Sequence, residues 1–428
     1  VLNISKHHKV CSRHLPICEM PPPDKVYIPL VQHVGKPAKP IVSPADKVKK
    51  GQLIGEADTE LSANVFSCVA GTVVEIAEMD TPYGKCAHVV IENNRSEDLF
   101  LFKPLSGALS REQILQRIRE AGIVGMGGAG FPTAYKLASS AQIHTLILNA
   151  AESEPFSACD FRILKERPEQ FLRGALLLSN GAGAEHAVVA LGYDNRAAAD
   201  ELNKVIAEQK LQNIKTTVLK PEYPQGAEKK LVYAVTGKKV APGKLPPSVG
   251  ALVCNVHTAL SAYYAVYEGR PLYSRLLTVS GDGVHSPANV CVPLGALFSD
   301  VLEFLGGYDA ENTVRIIGGG PMTGLPLLHL NYACEKRSHL LALLTESRAQ
   351  VRPSEPCIRC TRCVKACPMK LMPLYIDAYS LKGDIENAAR FGLRACIRCG
   401  SCAYVCPSRR PLVQSVILAR NTKEEAAE

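Results

Sequence analysis

Cys357, Cys360, Cys363 and Cys367 are followed by Pro368, and Cys396, Cys399, Cys402 and Cys406 repeat the same spacing before Pro407. Thiolates are soft ligands. Three of them packed into a short run wrap three corners of a [4Fe–4S] cube, while the fourth lies too far along the chain and reaches the other cube. The doubled C-x2-C-x2-C-x3-C-P run therefore predicts two [4Fe–4S] clusters with crossed ligation. Cys357, Cys360, Cys363 and Cys406 hold the first, and Cys396, Cys399, Cys402 and Cys367 the second. Zinc, usually bound by paired C-x2-C units, and disulfides, which a reducing compartment does not keep, are the competing readings. Arg359, Arg362, Lys365, Arg394, Arg398, Arg409 and Arg410 crowd these runs. They can offset the negative charge of a thiolate-bound cube or steer an acidic redox partner.

A second chemistry sits upstream. The run Gly125-Met-Gly127-Gly128-Ala-Gly130-Phe131-Pro-Thr-Ala-Tyr-Lys136 satisfies G-x-G-x-x-G. A dinucleotide fingerprint needs a strand immediately before that run. Here a helical pattern precedes it, so the run reads as a loop whose bare backbone lets a flat or phosphorylated ligand approach closely. The alternative is a plain turn. A strand pattern at 144–149 then leads into Asn149-Ala-Ala-Glu152-Ser-Glu154-Pro155. This places an amide and two carboxylates at the carboxyl end of a parallel strand, where α/β sheets take ligands; the competing reading of Glu152 and Glu154 is two solvated loop acids.

The elements that must position these groups fall into four segments. The chain has 428 residues, 46% hydrophobic and 21% charged, which is the composition of a globular protein of about three domains. A net charge of +8, without long basic blocks, gives no reason to expect nucleic acid. No apolar run is long enough for a transmembrane helix. The polar start, Val1 to Lys9, stands in place of a secretory apolar region. Residues 1–109 hold an N-terminal segment and a compact β module of short alternating runs between turns. Residues 110–270 alternate helix and strand and read as an α/β domain with a largely parallel sheet. Helices are expected at 111–121, 195–209, 227–236 and 258–268, and strands at 186–191, 216–219 and 251–255. Residues 271–345 form a small α+β module ending near the turn-rich Gly318–Gly324 run. Residues 346–428 open on a linker-like stretch to Pro356 and carry the cysteine runs, with helices expected at 374–390 and 412–422. The eight remaining cysteines, Cys11, Cys18, Cys68, Cys86, Cys159, Cys254, Cys291 and Cys334, are expected to be small buried hydrophobes.

Residues 45–76 resemble the hammerhead, or barrel-sandwich, fold of lipoyl and biotinyl carriers. No Lys lies between Lys50 and Lys85, and Asp58, Glu60 and Asn64 occupy the central hairpin, so the fold is expected without the swinging arm. The glycine run, the Asn149–Pro155 run and Asn255-Val-His-Thr258 resemble the flavin-bearing, NADH-oxidising subunit of respiratory complex I. The whole order, from Gln32-His-Val-Gly-Lys-Pro37 to Gly319-Gly-Pro-Met-Thr-Gly324 and the cysteine runs, is similar to the RnfC subunit of the Rnf electron transport complex. The resemblance implies four parts: a hammerhead-like β module, a complex-I-type flavin-binding α/β domain, a β-grasp (SLBB-like) module and a two-cluster ferredoxin-like helical domain.

The same resemblance implies FMN held by Gly125, Gly127, Gly128, Gly130 and Lys136, by Asn149 and Glu152, and by Asn255 and Thr258 near its phosphate. It implies NADH stacked near Phe131 and bonded through Glu154, with Glu228 nearby; Glu152, Glu154 and Lys136 are the implied catalytic groups. The implied activity is that of an NADH dehydrogenase-type electron-entry subunit, reversible with ferredoxin as an indirect partner. It would sit peripherally on the cytoplasmic face of a membrane with the other subunits of an ion-translocating complex. Ala151, Ser153 and His257 stand where these families carry Asp, Cys and Glu. Soluble relatives, the cobalamin reductase of bacterial microcompartments and an electron-transfer protein of clostridial proline reduction, share the core and form the alternative reading. A relay scaffold with vestigial flavin loops is a third.

Overall fold

The computed structural model describes residues 10–349 and 352–425. The polar start Val1–Lys9 and the Cys11 side chain lie outside the described residues.

The N-terminal module pairs a four-stranded antiparallel sheet (Lys25–Pro29, Gly84–Asn93, Gly71–Thr81, Lys47–Val48) with a three-stranded one (Lys39–Pro40, Leu53–Glu56, Val65–Phe66). Val26, Ile28, Ile54, Phe66, Val73 and Ile91 fill the space between them. The central hairpin is docked rather than free. Asn64 accepts from Ala57 N–H and donates to Glu120 O at the end of the 111–120 helix, while Asp58 pairs with Lys39 at 3.1 Å.

The second domain is a parallel sheet in the order Ile214–Val218, His186–Leu191, Thr145–Ala150, Ala251–Asn255. Both faces of its central strands are buried, as parallel sheets require, so those strands are near-continuous apolar runs whose side chains divide between two cores. Leu146, Leu148, Val189 and Leu252 join the large core with the Arg111–Glu120, Pro168–Ala182 and Val256–Tyr267 helices. Ile147, Ala190 and Val253 point the other way, onto Leu231 and Val232 of the Glu228–Thr236 helix. The first helix starts at a capping box between Ser110 and Gln113, and the last at Asn255, whose side chain accepts from His257 N–H. Gly174 sits where the Pro168–Ala182 and Val256–Tyr267 helices cross; a Cβ there would lie 1.9 Å from Ala259 O. Residues 159–182, unassigned from the sequence, form two helices, Cys159–Glu166 and Pro168–Ala182. The expected helix at 195–209 begins as a 3-10 turn, Tyr193–Ala198, before Ala199–Glu208.

The third module is a six-stranded mixed sheet in the order Ile17–Glu19, Ala288–Pro293, Ser274–Ser280, Leu340–Thr345, Thr313–Gly318, Leu325–Pro326. Its first strand comes from the N-terminal segment, with Ile17 level with Asn289. The stretch expected as a linker starts with a short helix, Glu346–Ala349. In the C-terminal part the single helix expected at 374–390 is two, Pro373–Ser380 and Ile385–Arg390. The break falls at Gly383 (φ +73°) and at Asp384, which caps the second helix through Asn387 N–H. Buried Asp377 accepts from Arg410 at 2.8 Å and Ser415 at 2.5 Å, tying the chain after Cys406 onto this layer. Among the described residues no helix is long and apolar enough to cross a membrane.

Lys336, fully buried, joins three modules: its Nζ donates to the carbonyls of Asn64 at 2.5 Å and Gly122 at 2.9 Å. Burial pushes its ammonium from 10.5 down to about 7. Between those values the unfolded chain holds more protons than the folded one, so stability rises with pH across that window. Lys336→Met is expected to flatten that rise. It should also lower stability by about 1 to 3 kcal/mol for each carbonyl left without a donor. Thermal midpoints at a series of pH values above 7 check this; an unchanged slope in the variant assigns the titration to another group.

Candidate active site and cluster sites

The glycine loop closes on itself, Gly125 N–H donating to Phe131 O and Gly130 N–H to Gly125 O. Thr258, almost wholly buried, pins it by accepting from Met126 N–H at 3.0 Å and donating to Val124 O at 3.3 Å. Beneath it lies a group not singled out from the sequence, the fully buried Arg275, which donates to Met126 O and Lys336 O. Gly130 (φ +66°) has no room for a side chain, since a Cβ would meet Arg337 Cδ at 2.6 Å. At Gly127 a Cβ would stand 3.3 Å from Asn255 Cβ, so the loop backbone passes directly over the cap of the 256–267 helix.

Gly127, Asn149, Glu152, Glu154 and Asn255 come together around one open cleft. Asn149, at the end of its strand, donates to Gly226 O at 3.0 Å. Asn255 donates to Asp160 at 2.8 Å. Glu152, at φ +42° and buried, accepts from Ser157 Oγ and from the N–H groups of Asp160 and Phe161. Its carboxylate thus closes the N-terminus of the 159–166 helix, where a negative charge is favoured. Glu154 accepts from Met322 N–H at 3.2 Å and from the Thr323 hydroxyl, so the Gly319–Gly324 turn folds onto it.

Lys136, Glu228, Gly128 and Phe131 are not part of the lining of this cleft. Lys136 pairs with Glu228 at 2.8 Å. Burial disfavours the ammonium, but the Glu228 carboxylate and Cys254 outweigh it and hold Lys136 above its ordinary value. Gly128 packs against His339, and Phe131 meets Tyr135 edge to face. Tyr223, Asp160, Thr323, His339 and Ile397 also line the cleft. They were not read as site residues because each arrives from a different segment. The only local signals were the Tyr223–Glu228 run and the Gly319–Gly324 turn.

Each set of four cysteines surrounds its own cavity. Cys357, Cys360, Cys363 and Cys406 line one, and Cys367, Cys396, Cys399 and Cys402 the other. The two runs fold alike: Arg359, Thr361 and Lys370 take positive φ, as do Arg398, Gly400 and Arg409 at the matching positions. Leu371 N–H and Arg398 N–H donate to the sulfurs of Cys367 and Cys396. Burial, then the nearby Cys396, Cys399 and Cys367 thiols, push Cys402 up to about 12. Thiolates crowded in this way need bound cations, and a cube's irons supply them. Among the described residues no three His, Cys, Asp or Glu converge on a single ion position; the thiols stand around cavities instead. The donor set therefore fits two [4Fe–4S] cubes with crossed ligation. Cys357 and Cys360 are exposed, whereas Ile397 and Cys399 form part of the wall of the glycine-loop cleft. Arg410 is engaged by Asp377; the other six basic residues of the runs are exposed or half-buried. Of the scattered cysteines, Cys68, Cys159, Cys254 and Cys334 are buried as expected, but Cys18, Cys86 and Cys291 are only half-buried.

Four family models match along the chain: the RnfC barrel sandwich hybrid domain over residues 4–96, the Nuo51 FMN-binding domain over 118–264, the SLBB domain over 276–326 and the 4Fe-4S dicluster domain over 356–410. The chain is 39% identical to the C subunit of the proton-translocating ferredoxin:NAD(+) oxidoreductase complex of Clostridium ljungdahlii, over 86% of this chain and 81% of that protein. It is 37% identical to the C subunit of the ion-translocating oxidoreductase complex of Rhodobacter capsulatus, over 98% and 82%. Among solved structures, the NAD+-reducing [NiFe]-hydrogenase in its H2-reduced state shares the fold, with a TM-score of 0.52 and 22% identity over 74% of this chain and 62% of that one.

Proposed function

The chain belongs to the RnfC family, the C subunits of ion-translocating ferredoxin:NAD+ oxidoreductase complexes, and on that premise we propose that it is the subunit through which electrons enter from, or return to, NADH. FMN, when bound, accepts a hydride and releases electrons singly, and the two [4Fe–4S] clusters carry them one at a time. The observation that carries the reading is the shared wall: the cleft formed by the glycine loop and the acidic loop is bounded by Ile397 and Cys399 of the second cluster's run.

In this reading Gly125, Gly127, Gly128 and Gly130 present backbone to FMN. Asn149 and Asn255 offer amides to it, and Thr258 holds the loop. Lys136 carries positive charge beside the flavin, balanced by Glu228. Glu152 keeps the loop and the 159–166 helix in register. Phe131 stacks against NADH, and Glu154 accepts from its ribose in place of Thr323. The exposed first cluster faces the rest of the complex, and through it ferredoxin. The module boundaries near 109, 270 and 345 belong to the same proposal, with strand 17–19 of the first segment lent to the third module's sheet. So does a peripheral place on the cytoplasmic face of the membrane, which co-purification with membranes and the other subunits tests against the soluble-reductase reading.

The test of the activity is one anaerobic spectrum: the purified chain should show a flavin band that NADH bleaches, and an absent or unbleached band sinks the proposal. A finer expectation separates the two acids. Glu154→Gln should raise the NADH dissociation constant tenfold to a hundredfold, the worth of a charged hydrogen bond of about 1.5 to 3 kcal/mol, and leave the limiting rate of flavin reduction alone. Glu152→Gln should chiefly change that rate. Stopped-flow reduction across NADH concentrations reads both, and equal behaviour of the two variants removes the distinction.

A further inference from the structure

Tyr223 sits in the wall of the cleft between two sites that lie far apart in the sequence. The residue is 7% exposed, and its hydroxyl donates to the carbonyl oxygen of Cys399, a ligand of the second cluster, at 2.6 Å. The chain just after it is anchored to the acidic loop: Gly226 N–H donates to Ser153 Oγ at 2.7 Å, and Asn149 donates to Gly226 O at 3.0 Å. From the other side the third module touches the same run, where a Cβ on Gly400 would stand 2.5 Å from Met322 O.

We infer that Tyr223 is a positioning residue for electron transfer, holding the Cys396–Cys402 run against the cleft through the Cys399 carbonyl. This rests on the function proposed above. Electron transfer between two centres falls steeply with their separation, and the cluster run belongs to a module joined to the rest through the stretch around residues 346–356. A hydrogen bond at the cleft wall fixes that separation where it matters. The tyrosine takes no part in the hydride step.

Tyr223→Phe keeps the ring and removes the donor. The experiment uses the anaerobic, flavin- and cluster-loaded chain mixed with saturating NADH in a stopped-flow instrument, followed separately at the flavin and iron–sulfur bands. Flavin content, iron content and full cluster reduction by dithionite should match the parent protein, and flavin reduction should stay within about twofold. Cluster reduction should slow well beyond that twofold margin, because transfer falls steeply once the run moves off the cleft wall. Parent-like cluster reduction overturns the inference. Equal slowing of both phases, or loss of flavin, also overturns it, by placing Tyr223 in flavin or nucleotide binding. A parent protein whose flavin NADH does not reduce sinks the proposed function itself, and this inference with it, so the two failures are told apart by the parent trace.

Discussion

Cys406→Ala should empty the cluster site of Cys357, Cys360 and Cys363 and leave the site of Cys396, Cys399 and Cys402 loaded, although Cys406 is the near neighbour of the latter in sequence. Cys406 shares its cavity with the first three cysteines, and Cys367 shares its cavity with the later three. A cube that loses one of four thiolates in a site already open to solvent at Cys357 and Cys360 has only water to replace it. Iron analysis should fall by half, and EPR of the reduced protein should retain one cluster signal. NADH should still reduce that remaining cluster, because it is the one beside the cleft. Loss of the Cys396 cluster instead would mean that each run ligates its own cube, contrary to the cavities.

Gly127→Val should give a folded protein with both clusters and no flavin. Gly127 lies in the cleft wall with its backbone over Asn255, and even one added carbon would press on the Asn255 side chain at 3.3 to 3.5 Å. Valine adds two further methyl groups to a face that must stay bare for the ligand to reach the amides. The residue is not at positive φ, so the substitution carries no backbone strain of the kind Gly128 or Gly130 would bring. Released flavin and cluster iron, measured on the same sample, check the expectation; stoichiometric flavin in the variant would place the ligand elsewhere.

Strands 186–191 and 251–255 were legible with their bounds because short apolar runs between turn or polar residues mark strands buried on both faces. The helices at 159–182 were not. Lys165, Glu169, Arg173 and Asn180 are exposed at helical spacing opposite buried Phe171, Leu172, Ala175 and Leu178, but Pro168, Gly174 and Gly181 punctuate that pattern with residues that ordinarily mark turns. In the site, what could be read was local: the cysteine spacing and the glycine and acidic runs. The partners of those residues could not be read. Glu154 meets Met322 across 168 residues, and Tyr223 meets Cys399 across 176. Pairings at that range follow from how the modules pack, and no local pattern encodes them.

The strand Ile17–Glu19 lies beside Ala288–Pro293 in the third sheet, and this sets a constraint on biosynthesis. At about 5 to 20 residues per second, the ribosome delivers the partner strand roughly 15 to 50 s after Ile17 has left it. Until then the edge of the unfinished sheet has nothing to receive, and the leading strand has nothing to pair with. Any factor that shelters nascent chains meets this protein with the Ile17–Glu19 strand unpaired until Ala288–Pro293 has been made, so the third module's sheet cannot be completed before the first two parts have been delivered.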